Sequence, residues 1–163
     1  MGFYCPECKK AHEGVPDLGA DAPDHYLAVP KEERAERTML TSDRCTVDDE
    51  DGNTHYFIRG VISIPVHGQD EPWGIGVWVS QSEKNFERYS EREEDMAPTF
   101  GWLATRLSFY EPDTMELKTR VHFSDDGIRP SIELEPTDHP LAVDQRNGIT
   151  LDKVWKIVHR FMD

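Results

Sequence analysis

Three kinds of apolar spacing organise this chain. Between residues 55 and 66, Tyr56, Ile58, Val61, Ile62, Ile64 and Val66 form a β-branched and aromatic run that predicts a strand. Gly60 shifts its alternation, as a bulge would. Residues 73–80 predict a second strand, in which Gly74 and Gly76 alternate with larger residues. One face of that strand is therefore free to lie close under another backbone. In the third, Leu117, Thr119, Val121 and Phe123 alternate with Lys118, Arg120 and His122, the mark of a half-buried strand. Residues 39–47 and 131–135 predict shorter strands, and turn-forming residues at 48–53, 68–72 and 125–127 separate the runs.

Helical spacing dominates the C-terminal end. Leu151, Val154, Trp155, Val158 and Phe161 make one apolar stripe behind Thr150, a good N-cap. Ser82 caps a predicted helix running to about Arg92. Residues 30–37 start on a proline, continue with acids and end on arginines, which suits a short helix. Residues 98–107 read as a short helix turning Phe100, Trp102 and Leu103 inward, and residues 133–145 as a proline-braced loop. Strands in series with helices between and after them predict an α+β fold: an antiparallel sheet of about five strands, helices on one face, and a C-terminal helix. A chain of 163 residues fits one domain, 1–163. Residues 1–30, rich in Gly, Pro, Asp and His without a period, form an irregular segment that wants a cross-link or a metal.

Composition narrows the setting. With 31% charged residues and a mean hydropathy of −0.68, no apolar run approaches the ~20 residues of a membrane span. The opening MGFYCPECKK has neither the apolar stretch of a signal peptide nor the Ser/Thr pattern of a myristoylation site. Three cysteines, an odd number, do not suit an oxidised scaffold, and the expectation is a cytoplasmic protein. The net charge of −14, from 32 acidic and 18 basic residues, repels phosphate backbones and argues against direct nucleic-acid binding. The acids cluster at 48–51, 91–95 and 125–126. They either solvate loops or form a surface that captures a basic protein, such as a cationic toxin or nuclease.

The cysteines carry the most specific chemistry. Cys5 and Cys8 form a C-x-x-C turn followed by His12, and Cys45 is the one further thiol. Cys5, Cys8, His12 and Cys45 would make a closed, four-coordinate Cys3His site for a structural zinc, a zinc-knuckle-like N-terminal segment. Lys9 stands where such turns favour glycine. A redox pair at Cys5 and Cys8 and three ordinary reduced thiols are the competing readings. No nucleophile elbow, P-loop, dinucleotide fingerprint or H-E-x-x-H helix occurs. Lys118, Arg120 and His122 share one strand face and could floor an anionic-ligand site, or simply face solvent. Asp138 beside His139 could orient an imidazole for base catalysis, though no nucleophile accompanies them. Trp73, Trp78, Trp102 and Trp155 read as core, with Trp78 and Trp102 the candidates to wall a pocket over that face.

Several strings in the chain resemble one uncharacterised bacterial family, DUF2199. They are CPECKKAHEGVP near the start, LTSDRC ending at Cys45, IRGVISIPV, WGIGVWVSQSEKNFERY, FGWLATRL, LKTRVH and, most specifically, IELEPTDHPLAVDQRNGIT ending at Thr150. The resemblance implies that Cys5, Cys8, His12 and Cys45 act as a set, with Lys9 departing from the usual glycine; it implies no activity. The resulting expectation is a zinc-stabilised, non-enzymatic domain that binds a basic protein partner, as an immunity protein does. The alternatives are a small-ligand binder or enzyme using Lys118, Arg120 and His122 with Asp138 and His139, and a thiol redox sensor.

Overall fold

The computed structural model describes residues 3–5, 10–12 and 18–162, with side chains from 18 to 160. Two short strands, β1 (Phe3–Cys5) and β2 (Lys10–His12), pair with each other. Then come α1 (Asp24–Leu27), a 3-10 turn (Lys31–Glu33), α2 (Arg34–Arg37), β3 (Thr38–Leu40) and β4 (Arg44–Asp48). The long strands β5 (Thr54–Ile64) and β6 (Trp73–Gln81) follow, then α3 (Glu83–Ser90) and β7 (Thr99–Trp102). The chain ends with β8 (Lys118–His122), β9 (Ser131–Leu134), α4 (Pro140–Asn147) and α5 (Leu151–Met162).

The main sheet has seven strands in the order β3-β4-β5-β9-β8-β7, with β6 on the other side of β5. It curls back on itself, because β6 also meets the exit of β7. Val79 bridges Leu103, Ala104 N–H donates to the Trp78 carbonyl at 2.8 Å, and Trp102 N–H donates to Ser80 Oγ at 3.0 Å. The circuit β5-β6-β7-β8-β9 thus returns to β5, and β3 and β4 extend it.

This corrects the expected sheet in number and in direction. Residues 39–47 are two strands: Thr41 Oγ1 accepts the Asp43 and Arg44 N–H groups and turns the chain between them. Residues 98–107 hold a strand with period two, so Gly101 and Leu103 are buried while Phe100 and Trp102 face out. The sheet is mixed because β9 lies parallel to β5, Val61 facing Ser131 and its N–H donating to the Pro130 carbonyl at 2.9 Å. With β6, β7 and β8 between them in sequence, β9 is under no hairpin constraint to run antiparallel. Nor is Gly60 a bulge, since β5 and β6 pair one to one from Tyr56↔Gln81 to Ile64↔Trp73.

Alternation sorts the two faces. Ile58, Ile62 and Ile64 of β5 with Ile75, Val77 and Val79 of β6 bury inward, joined by Val121, Ile132 and Leu134. Phe86 of α3, Leu141 and Ala142 of α4, and Val154, Trp155 and Val158 of α5 complete this core. The predicted caps form: Ser82 accepts from Asn85 N–H, and Thr150 Oγ1 from Lys153 N–H.

The helices do not all lie on this side. Phe57, Trp78 and Cys45 face outward and would leave an apolar patch in water. The segment from Leu18 to Val29, with α1, crosses this patch and covers it. It starts as a ladder against β6: Leu18 N–H donates to the Gly74 carbonyl and Gly76 N–H to the Leu18 carbonyl. Gly76 permits the approach, since a Cβ there would sit 3.2 Å from the Gly19 Cα. Residues 18–29 are therefore held in place by packing. The zinc-knuckle reading of the first half falls on residues whose side chains lie outside those described.

Residues 133–145, expected as a loop, hold α4. Its N-cap is His139, whose Nδ1 accepts from Leu141 N–H at 3.0 Å and whose Nε2 donates to the Pro112 carbonyl at 2.7 Å. Among the described residues no helix is long and apolar enough to cross a membrane.

Candidate functional site

A cleft of about 720 Å³ opens on the outer face, between α1, the start of β5, the end of β6 and the exit of β7. Its size falls within the range of small-molecule pockets. Phe57, Leu103 and Ala104 supply its apolar floor; His25, His55, Tyr56, Glu83, Trp102 and Glu116 supply its chemistry. Among the described residues no lysine or arginine lines it.

Each of these side chains is placed by a local feature. Asp24 N–H donates to the Ala104 carbonyl at 2.9 Å, which seats α1 over the exit of β7. That puts the His25 ring 4.8 Å from the Phe57 ring. His25 Nδ1 is buried with no hydrogen-bond partner. Burial first, and then the neighbouring His55, hold the His25 pKa below the usual value, while Glu116 and Asp24 act the other way. The balance disfavours the charged imidazole. His55 is itself tied outward, its Nε2 2.9 Å from Asp49 Oδ2. Glu83 sits in the first turn of α3, where it is close enough to Tyr56 to raise the phenol pKa, behind the larger effect of desolvation.

Glu116 enters by an unusual backbone. Its φ of 64° lies in the left-handed region that side chains rarely adopt. The conformation is fixed by two bonds: Glu116 N–H donates to the Leu103 carbonyl at 2.7 Å, and Leu103 N–H donates to the Leu117 carbonyl at 2.8 Å. Non-glycine residues held this way concentrate at binding and catalytic sites. Trp102 also lines the cleft, 44% exposed, with Phe100 edge-on to it at 4.9 Å.

The residues expected to form a pocket are placed otherwise. Lys118 and Arg120 are exposed on β8, register partners of Trp102 and Phe100, and His122 pairs with Glu133 at 3.0 Å. Asp138 is exposed, and His139 spends both ring nitrogens on backbone groups. None of these five lines the cleft. Trp78 is fully buried, its indole N–H held by the Ala20 carbonyl at 2.9 Å, so it cannot face a ligand. Of that set only Trp102 lines the cleft. His25, His55, Glu83 and Glu116 carry no spacing signal, because the crossing of residues 18–29 brings them together only in three dimensions.

The cysteine set divides. Cys5 faces Lys10 and His12 faces Phe3 in the β1–β2 register, while Cys8 lies outside the described residues. Cys45 is fully buried among Val29, Val47, Phe57, Trp78 and Ala104, and this desolvation pushes its thiol up to about 12. Among the described residues no group of three His, Cys, Asp or Glu side chains is gathered as a metal would require.

Fold and cleft together define a mixed α+β domain with a curled sheet and a ligand-sized, carboxylate-lined recess on its outer face. The chain belongs to the DUF2199 family, described as an uncharacterized protein conserved in bacteria, whose model matches residues 4–149. Neither the curated proteins nor the solved structures contain a match to it.

Proposed function

We propose that this domain is a non-enzymatic binding module for a basic protein and that the outer cleft is its docking point. The observation that carries the reading is the lining itself: two glutamates, two histidines and an exposed tryptophan, with no lysine or arginine among the described residues that line it. On a chain of net charge −14 such a recess focuses negative potential, which speeds encounter with a cationic surface and disfavours anionic ligands. Immobilised protein incubated with extract of its native host should retain a basic protein at low salt. That protein should be released as the salt passes roughly 0.3 M, where screening shortens to a few ångströms. The double variant Trp102→Ala/Glu116→Gln should retain far less. If no basic protein is enriched, or if the double variant retains it equally, the reading fails.

A structural zinc at the N-terminal end is proposed alongside it. Support comes from the β1–β2 ladder, which holds Cys5 and His12 two register positions apart, with Cys8 between them in the sequence. The apolar surroundings of Cys45 oppose the thiolate that a zinc ligand must be, so the proposal rests on Cys5, Cys8 and His12. Untagged protein should carry one zinc per chain, and chelation should expose two thiols to titration while Cys45 stays protected until unfolding. Metal-free protein whose Cys5 and Cys8 react at once would end this proposal.

A further inference from the structure

We infer that the cleft is a seat for one cationic side chain, a guanidinium or ammonium group laid on the Trp102 ring between the carboxylates of Glu83 and Glu116. This rests on the binding reading above and specifies its chemistry. Several observations converge on it. Trp102 is the exposed tryptophan, whereas Trp73, Trp78 and Trp155 are buried. An indole face left open to solvent on a rim is the strongest aromatic partner a cation finds in proteins. Phe100, edge-on at 4.9 Å, props that ring in place, and the Trp102 backbone is pinned to Ser80 Oγ.

The carboxylates supply the charge. Glu116 lines the cleft from a left-handed backbone fixed by two short backbone hydrogen bonds, so its Cα is in place before any ligand arrives. Glu83 opens α3 across the cleft. Among the described residues no lysine or arginine lines the cleft; Lys118, the register partner of Trp102, is not part of its lining. His25 also lines the cleft, and its burial disfavours the charged imidazole that would repel a cation. The floor of Phe57, Leu103 and Ala104 suits the aliphatic stem that carries such a head group. A carboxylate or phosphate would meet two glutamates and, among the described residues, no lysine or arginine in the lining.

The test uses N-acetyl-arginine amide against its neutral isostere N-acetyl-citrulline amide, at low salt, with tryptophan fluorescence as the readout. The arginine compound should quench the signal saturably and bind about tenfold more tightly than citrulline, as cation–π and charge-assisted contacts predict. Trp102→Leu should abolish the quench, and Glu116→Gln should weaken binding about fivefold while leaving unfolding unchanged. Equal binding of the two compounds, or a quench that survives Trp102→Leu, would overturn the inference. If the arginine compound fails while a basic protein is still retained, the seat is wrong and the binding reading stands. If it binds as expected but no basic protein is retained, the seat stands and the binding reading falls.

Discussion

Trp78→Ala should lower the unfolding free energy by about 4 kcal/mol and the melting temperature by about 12 °C. Trp78 is fully buried, and large-to-small changes at such sites remove both the transfer energy of the ring and its packing contacts. The position also joins four parts of the molecule. Its indole N–H holds the Ala20 carbonyl at 2.9 Å, and its backbone N–H donates to Thr105 Oγ1 at 2.9 Å. Its carbonyl accepts from Ala104, and the Arg59 guanidinium lies over its ring at 6.0 Å. Truncation leaves the Ala20 carbonyl without its side-chain donor and loosens the crossing segment that carries His25 to the cleft. Trp78→Phe separates these contributions: it keeps most of the buried area and loses the indole donor, so it should cost about 1–2 kcal/mol. Urea titrations of both variants, with equal slopes against denaturant, check the assignment. A loss under about 1 kcal/mol for the alanine variant would show that the outer cluster is dispensable.

The readable part of this fold is the part that local patterning controls. β5, β6 and β8, α3 with its Ser82 cap, and the α5 stripe behind Thr150 all lie where alternation or helical spacing places them. What escaped is what tertiary contacts decide. The stretch holding Phe100 and Trp102 was legible as apolar but not in its period, and a helical reading turned both rings inward; the strand turns them out. α4 hides behind two prolines because its cap is a histidine, Nδ1 taking the role usually filled by a serine or aspartate oxygen. The parallel return of β9 has no signature in its own residues. The cleft is the extreme case. His25 sits in a segment without periodicity, and Glu116 owes its position to a left-handed turn that no glycine or asparagine announces. By contrast Lys118, Arg120 and His122 advertise themselves by alternation, and that alternation is simply the solvated side of β8.

The closure of the curled sheet depends on the absence of a side chain at residue 60, and adding one methyl group there should reverse the usual effect of such a change. Gly60 lies within β5 at an ordinary strand conformation, so Gly60→Ala by itself would stabilise through the unfolded chain by roughly 0.5–1 kcal/mol. Packing opposes this. A Cβ at residue 60 would lie 2.6 Å from Ile132 Cδ1, 2.7 Å from Ile132 Cγ1 and 2.8 Å from the Pro130 carbonyl oxygen. The isoleucine can adjust in part, but the carbonyl is the acceptor for Val61 N–H at the one parallel pairing that joins β9 to β5. Relief therefore requires β9 to move away, which opens the circuit. Gly60→Ala should thus cost about 3 kcal/mol net, at the upper end of overpacking penalties. Ile132→Ala alone should cost a similar amount by leaving a cavity, since Ile132 is fully buried. Combined, the two should cost at least about 1 kcal/mol less than their sum, because each removes part of what the other disturbs. Rescue should stay incomplete, because the Pro130 carbonyl remains in place. Simple additivity in this double-mutant cycle, or a Gly60→Ala protein more stable than the parent, would show that β5 and β9 do not approach as closely as the sheet closure demands.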